Sequence, residues 1–177
     1  MSTNTATALI EPKSIFEPRK LRAAFGQFAT GVAVVTTRAL DGRLVGLTIN
    51  SFSSLSLDPP LITWSLVKHS PNLQVFIDAP NFAINILSED QNGIASQFAT
   101  PDKDKFINID SDLNAHGVPL LANALAHFEC SLLRIYEGGD HLMFVGKVEK
   151  FNTFERRPLL FHGGAFKKIL ADCKESD

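Results

Sequence analysis

Residues 46–60 read GLTINSFSSLSLDPP, and this stretch decides how the chain is organised. An apolar segment ends here in six hydroxyl or amide side chains between Thr48 and Ser56. Thr48 and Asn50 share one face of a strand, because side chains alternate with a period of two. Uncharged groups in such a run can hydrogen-bond a flat polar ring or a sugar-phosphate. A serine-rich loop that caps its own backbone is the alternative, and the stretch alone leaves both open.

Strand signals lie on both sides of this stretch. Residues 32–37 are β-branched except Ala33, and Asp41-Gly42 is typical of a hairpin turn. Further strands are predicted at residues 61–67, 82–87, 127–138, 141–152 and 159–161. Because most of them are joined as hairpins, the pattern favours a mainly β fold, an antiparallel barrel with peripheral helices, over a doubly wound sheet.

Short helical patterns separate some of the strands. One begins at Pro18 and runs towards Gly31. A second is predicted from Ser70, as its cap, to residue 79, and a third from Asp90, as its cap, to residue 98. Residues 101–120 are irregular and indicate a long surface excursion.

The composition predicts one globular domain at residues 15–170, with a mobile arm at 1–14 and a polar tail at 171–177. A net charge of −2 gives no general attraction to nucleic acid or to a membrane surface. Cys130 lies in an apolar run, and Cys173 is expected to be an exposed free thiol. Two unpaired cysteines and the absence of a secretory signal pattern predict a cytoplasmic protein.

Three further segments carry candidate chemistry. Lys68 precedes the helix start predicted at Ser70, and helix N-termini attract phosphate, although an exposed lysine beside a helix cap is a common alternative. Gly138-Gly139-Asp140-His141 is a tight turn that presents an imidazole, or simply a surface histidine. Phe161-His162-Gly163-Gly164 joins an aromatic ring to flexible backbone, or only reverses the chain.

Several common catalytic patterns do not occur in the sequence. It contains no G-x-G-x-x-G, no G-x-x-x-x-G-K-[ST], no G-x-S-x-G and no H-E-x-x-H. The five histidines have no metal-ligand spacing. Hydrolase, nucleotide triphosphatase and zinc-enzyme functions are therefore disfavoured, and no metal site is predicted.

Taken in order, the motifs resemble the flavin reductase family over roughly residues 16–170. The segments that carry the resemblance are TGVAVVTT at 30–37, GLTINSF at 46–52, SLSLDPP at 54–60, FAINIL at 82–87, QFA at 97–99, GGDH at 138–141 and PLLF at 158–161. The chain is most similar to the short reductase components of two-component flavin-dependent monooxygenases.

The resemblance implies a split-barrel, Greek-key FMN-binding fold that forms homodimers, with the flavin near the dimer interface. It implies reduction of FMN or FAD by NADH or NADPH, and a monooxygenase partner that receives the reduced flavin. His141 would act at the nicotinamide as the catalytic residue. Flavin-binding positions carried over from the family are Thr48, Ile49, Asn50, Ser51, Ser54, Ser65, Leu66, Lys68, Ser70, Phe98, Asp140 and Phe161.

Within this set, Thr48, Asn50 and Ser51 would face the isoalloxazine ring and the ribityl chain. Ser65, Lys68 and Ser70 would hold ribityl and phosphate. Two other functions remain open: an oxidase of the same barrel that keeps its flavin bound, and a non-catalytic flavin- or haem-binding module.

Overall fold

The computed structural model describes residues 15–101 and 104–169. The predicted arm at residues 1–14, the predicted tail at residues 171–177 and the Cys173 thiol lie outside the described residues. None of the described helices is long and apolar enough to cross a membrane.

Twelve strands and three helices make up the described part of the chain. The helices are α1 (Pro18–Phe25), α2 (Leu73–Asp78) and α3 (Asn92–Ala99). The strands are β1 (Thr30–Gly31), β2 (Ala33–Arg38), β3 (Leu44–Ile49), β4 (Ser53–Leu57), β5 (Pro60–Val67), β6 (Asn81–Ile86), β7 (Ser111–Leu113), β8 (Pro119–Leu121), β9 (Ala126–Gly138), β10 (His141–Thr153), β11 (Leu160–His162) and β12 (Ala165–Lys167).

Seven strands form the main sheet, in the order β3-β2-β6-β9-β10-β5-β4. Every neighbouring pair in it is antiparallel. The hairpin of β9 and β10 lies at its centre, and each of these strands is 13 residues long. The expected mainly β fold with peripheral helices is therefore confirmed.

Two apolar clusters stabilise the sheet, and aromatic contacts organise the larger one. Trp64 on β5 stacks on Phe144 of β10 with ring centroids 4.3 Å apart, and it meets Phe76 of α2 edge-on at 5.1 Å. Such contacts add to the stabilisation that comes from burial alone. In the second cluster, α3 places Phe98 against Val34 of β2. The two clusters thus fix α2 and α3 relative to the sheet.

Helix boundaries differ from the sequence prediction at three places. Helix α1 ends at Phe25, and Thr30–Gly31 is a short strand paired with β11. Helix α2 begins at Leu73 rather than after Ser70, because two successive turns, Ser70 N–H to Val67 and Leu73 N–H to Ser70, occupy the preceding backbone. Helix α3 begins at Asn92 after Gln91, rather than after Asp90.

Three strands occur in two segments where the sequence predicts no strand. The serine-rich run at residues 53–57 is β4, which pairs with β5 through a bulge between Ser54 and Ser56. The irregular region at residues 101–120 contains β7 and most of β8, which form a small hairpin. All three strands depend on a paired strand, and local patterning does not reveal such pairing.

We expect the variant Gly146→Ala to lower the free energy of unfolding by about 1–3 kcal/mol. A β-carbon at this position of β10 would overlap the Phe82 ring and lie 3.2 Å from the Cys130 Cβ. Phe82 is buried, so the ring has little room to move. Urea denaturation measures the change.

The variant Gly93→Ala is the matched control, because a β-carbon there meets no atom within 4 Å. It should be neutral or slightly stabilising, since alanine favours a helix more than glycine does. Equal unfolding free energies for the two variants would contradict the packing argument.

Candidate functional site

A cleft of about 1200 Å³ lies between β3, the loop that follows β5 and the C-terminal half of α3. Its walls combine aliphatic side chains with hydroxyl and amide groups. The residues that line it are Arg43, Leu44, Val45, Gly46, Leu47, Thr48, Leu66, Val67, His69, Ser70, Pro71, Asn72, Phe98, Ala99, Pro101 and Lys105.

The charged side chains of the cleft have one sign. Arg43 and Lys105 line it, and none of the described lining residues is acidic. The whole chain carries a net charge of −2, so this surface is locally opposite in sign to the average. A concave wall of one sign attracts ligands of the other, and the cleft therefore favours an anionic ligand.

Gly46 and Thr48 hold α3 against β3 at the base of the cleft. A β-carbon at Gly46 would lie 2.6 Å from the Phe98 ring, so only glycine allows this close approach. The Thr48 hydroxyl donates a hydrogen bond to the Ala95 carbonyl of α3 at 2.7 Å. That bond uses the only hydroxyl proton of Thr48 and leaves it acceptor capacity towards a ligand.

The turn that carries His141 lies beside the β5 wall of the cleft. His141 pairs with Val67 in the ladder between β10 and β5, and the Lys68 N–H donates to the Asp140 carbonyl at 2.9 Å. Val67 itself lines the cleft. The imidazole is thus one strand away from the cleft wall.

Asp140 fixes the orientation and the tautomer of this imidazole. Its Oδ1 lies 2.7 Å from the His141 Nδ1. The hydrogen bond from His141, together with its charge, lowers the pKa of Asp140 below its ordinary value. An ionised carboxylate can only accept, so Nδ1 carries the proton. The other ring nitrogen, Nε2, then serves as an acceptor when the ring is neutral.

The polar run after β3 is connected to the same ladder through Ser51. The Ser65 N–H donates to the Ser51 hydroxyl oxygen at 3.0 Å, and that hydroxyl donates to the Ser65 carbonyl at 3.2 Å. Ser65 pairs with Met143, two residues beyond His141. The structure therefore connects the polar run, through β5, to the strand that begins at His141.

The predicted binding residues fall into two groups. Those that line the cleft are Thr48, Leu66, Ser70 and Phe98, and the others are Ile49, Asn50, Ser51, Ser54, Ser65, Lys68, Asp140, His141 and Phe161. Ile49 belongs to the core, Ser54 is exposed on β4, and Phe161 packs against Phe166 of β12. Their roles towards a ligand stay predictions.

The cations at the cleft differ from the one that the sequence suggests. Lys68 does not line the cleft and forms an ion pair with Glu137 of β9. Arg43 of the hairpin turn and Lys105 after α3 line it instead, with His69 and Asn72. Neither cation belongs to a strand-end pattern, and only folding brings these residues to one cleft.

A second, smaller cleft of about 450 Å³ lies on another part of the sheet. Asn50 and Phe52 line it with Phe128, and Phe52 stacks on Phe128 at 5.6 Å. The aromatic row continues to Phe151, 6.4 Å from Phe128 and 63% exposed. We call Phe52, Phe128 and Phe151 the aromatic row.

Comparison with known proteins places the chain in one family. Residues 25–170 match the model described as "Flavin reductase like domain". The FMN reductase (NADH) SmoA of Agrobacterium fabrum is 43% identical over 151 residues, which cover 85% of this chain and 86% of that protein. The reductase component of the flavin-dependent trigonelline monooxygenase of Acinetobacter baylyi is 41% identical over 156 residues, which cover 88% of this chain and 50% of that protein.

A solved structure is also similar. The Streptomyces globisporus NADH:FAD oxidoreductase SgcE6, in complex with NAD and FAD fragments, matches with a TM-score of 0.84 and 38% identity, over 92% of this chain and all of that one. The chain spans about half the length of some curated relatives, 51% and 50% in two cases.

We expect the variant His141→Ala to raise the pKa of Asp140 towards its ordinary value, because the hydrogen bond from His141 is the largest cause of the lowering. A carboxyl carbon NMR titration measures it directly. Since the folded pKa is the lower one, the pair stabilises the fold above the ordinary pKa of aspartate. This contribution is lost as the pH falls through the folded pKa.

The variant His69→Ala is the control, because His69 makes the smallest contribution to the same shift. It should move the Asp140 pKa less than His141→Ala does. An unchanged Asp140 pKa in His141→Ala would show that the two side chains do not interact in solution.

Proposed function

The chain belongs to the family of flavin reductase-like domains, and on this premise we propose that it uses NADH or NADPH to reduce FMN or FAD for a partner monooxygenase. The observation that carries the proposal is the position of the large cationic cleft one strand away from the Asp140–His141 pair. The names of the relatives support a reductase. They do not support the oxidase or the haem-binding module.

The residues of the large cleft fit a flavin. The cleft has a volume of about 1200 Å³. Because this is more than the roughly 300–1,000 Å³ typical of small-molecule pockets, it has room for a flavin. Leu47 and Leu66 offer apolar wall for a flat ring, and Ser70 offers a hydroxyl. The charges of Arg43 and Lys105 suit the phosphate of FMN or the diphosphate of FAD.

Each group of the chain has a separate task in the proposed reaction. A bound flavin supplies the ring that accepts a hydride from the nicotinamide. The cleft walls would hold the flavin and the nicotinamide against each other, which would make the transfer effectively unimolecular. His141, which carries its proton on Nδ1 beside Asp140, would accept a hydrogen bond at Nε2 from the carboxamide of the nicotinamide.

A homodimer is part of the proposal, and the aromatic row supports it. Phe151 is 63% exposed although it stacks against Phe128, and the adjoining 450 Å³ cleft is mostly aliphatic and aromatic. Large exposed apolar patches mark interaction sites. The occupant that we infer is a second copy of this chain.

The proposal includes a split-barrel architecture and a cytoplasmic location. The strand order of the seven-stranded sheet, with β3 and β4 at its ends, suits a split-barrel, Greek-key fold. We infer a cytoplasmic location from the nicotinamide nucleotide substrates of the proposed reaction.

We expect NADH or NADPH oxidation that depends on added FMN or FAD. The variant His141→Ala should raise the KM for the nicotinamide nucleotide about fivefold, the cost of one lost hydrogen bond, with a smaller effect on the KM for flavin. Steady-state kinetics with each substrate varied in turn measures both constants.

His116→Ala is the matched control, because this exposed histidine lies in the turn between β7 and β8, away from the cleft. Its constants should equal those of the wild type. The absence of flavin-dependent nucleotide oxidation would refute the function, and an unchanged nucleotide KM in His141→Ala would refute the role of His141.

We expect the variant Phe151→Asp to convert the dimer to a monomer, because it places a charge in an apolar interface that would desolvate it. Light scattering on a size-exclusion column measures the mass. Leu40→Asp is the control, since Leu40 is 83% exposed at the hairpin turn and lies outside the aromatic row. A monomeric wild type, or a dimeric Phe151→Asp, would contradict the proposed interface.

A further inference from the structure

Gln97 connects α3 to the segment that follows it. Its side-chain amide donates hydrogen bonds to two backbone carbonyls, that of Lys105 at 2.9 Å and that of Ile107 at 3.0 Å. A glutamine amide has two N–H donors, so both are used. Gln97 does not line the cleft. Its side chain therefore affects the cleft wall only through the backbone that it binds.

The segment held by Gln97 carries one of the cations of the cleft. Lys105 lines the cleft, and its ammonium donates to the Phe98 carbonyl at 2.8 Å. This carbonyl lies in the last turn of α3, where the helix dipole favours a positive charge. The lysine is thus held both through its own side chain and through the hydrogen bond from Gln97 to its carbonyl.

Aromatic packing completes the attachment of this segment. Phe106, the residue after Lys105, meets Phe98 edge-on with ring centroids 5.1 Å apart. Phe98 is buried against Gly46 of β3. The backbone of residues 105–107 is therefore held against α3, and Gln97 in the last turn of the helix donates two side-chain hydrogen bonds to it.

The other cations near the cleft are attached differently. Arg43 lies on the β2–β3 turn, where its Nε is 3.6 Å from Asp41. Lys68 pairs with Glu137 and does not line the cleft. Lys105 is the described cation that is attached to α3, the helix that packs on the base of the cleft.

We propose that Gln97 is a positioning residue that fixes Lys105 at the cleft wall and thereby sets the preference for phosphate-bearing flavins over riboflavin. The inference rests on the proposed function only in taking flavin as the ligand. The Lys105 ammonium attracts the phosphate of FMN or FAD, and riboflavin has no phosphate. Loss of the Gln97 bonds weakens this attraction without changing the contacts of the ring.

Equilibrium binding tests the proposal without catalysis. The variants are Gln97→Met, which keeps the volume and removes both donors, Lys105→Met, and the double variant. Quenching of flavin fluorescence gives the Kd for FMN, FAD and riboflavin. We expect Gln97→Met to weaken FMN and FAD about tenfold and to leave riboflavin unchanged.

The double variant shows whether Gln97 acts through Lys105. In the Lys105→Met background, Gln97→Met should cause no further loss of FMN affinity, since coupled residues are not additive. Additive losses, equal losses for riboflavin and FMN, or an unchanged FMN affinity would each overturn the proposal.

Two further variants keep the test decisive. Gln74→Met is the matched control, because this exposed glutamine of α2 donates its side-chain amide to Asp78 at 2.8 Å and lies outside the cleft. Thermal unfolding shows whether each variant is folded, and Gln97→Asn replaces Gln97→Met if the latter is not. A wild type that binds flavin but does not oxidise NADH or NADPH refutes the proposed function and leaves this inference standing.

Discussion

The antiparallel pairing of β10 with both β9 and β5 is the constraint on which the rest of the structure depends. On one face it stacks Trp64 on Phe144 at 4.3 Å and so anchors the main core. At its end it sets His141 opposite Val67, a residue of the cleft wall. A shift of this register by one residue would turn every side chain to the other face of the sheet. Core stability and the position of the histidine therefore depend on the same ladder.

The cleft is built on this frame by close contacts rather than by a dedicated motif. Gly46 lets Phe98 approach the backbone of β3, and Thr48 bonds to Ala95, so the helix that closes the cleft is fixed at its base. The same helix carries the Gln97 and Lys105 contacts that hold a cation at the wall. On a chain of net charge −2, the cationic lining of the cleft is a local feature that favours anionic ligands.

Local sequence pattern was sufficient to predict an element where the residues that form the element lie next to each other in the chain. Asp41-Gly42 marked the β2–β3 hairpin, and Gly138-Gly139-Asp140 marked the turn of the central hairpin, because turn residues act over a few positions. Local pattern was insufficient where hydrogen bonds to other parts of the chain decide whether a segment is a strand or where a helix begins. Ser53–Leu57 is a strand only because β5 lies beside it. Helix α2 starts at Leu73 because turns around Ser70 use the backbone first.

The sequence by itself determined the mainly β class and the order of motifs that resembles flavin reductases, and this resemblance pointed to Thr48, Leu66, Ser70 and Phe98, which line the cleft. These depend on periodicity, on turn chemistry and on motif order, all of which are written along the chain. Only the tertiary structure decided that Arg43 and Lys105 line the same cleft, that Lys68 pairs with Glu137, and that Thr48 bonds to α3. The physical reason is that contacts between residues distant in the chain depend on packing, which no local pattern encodes.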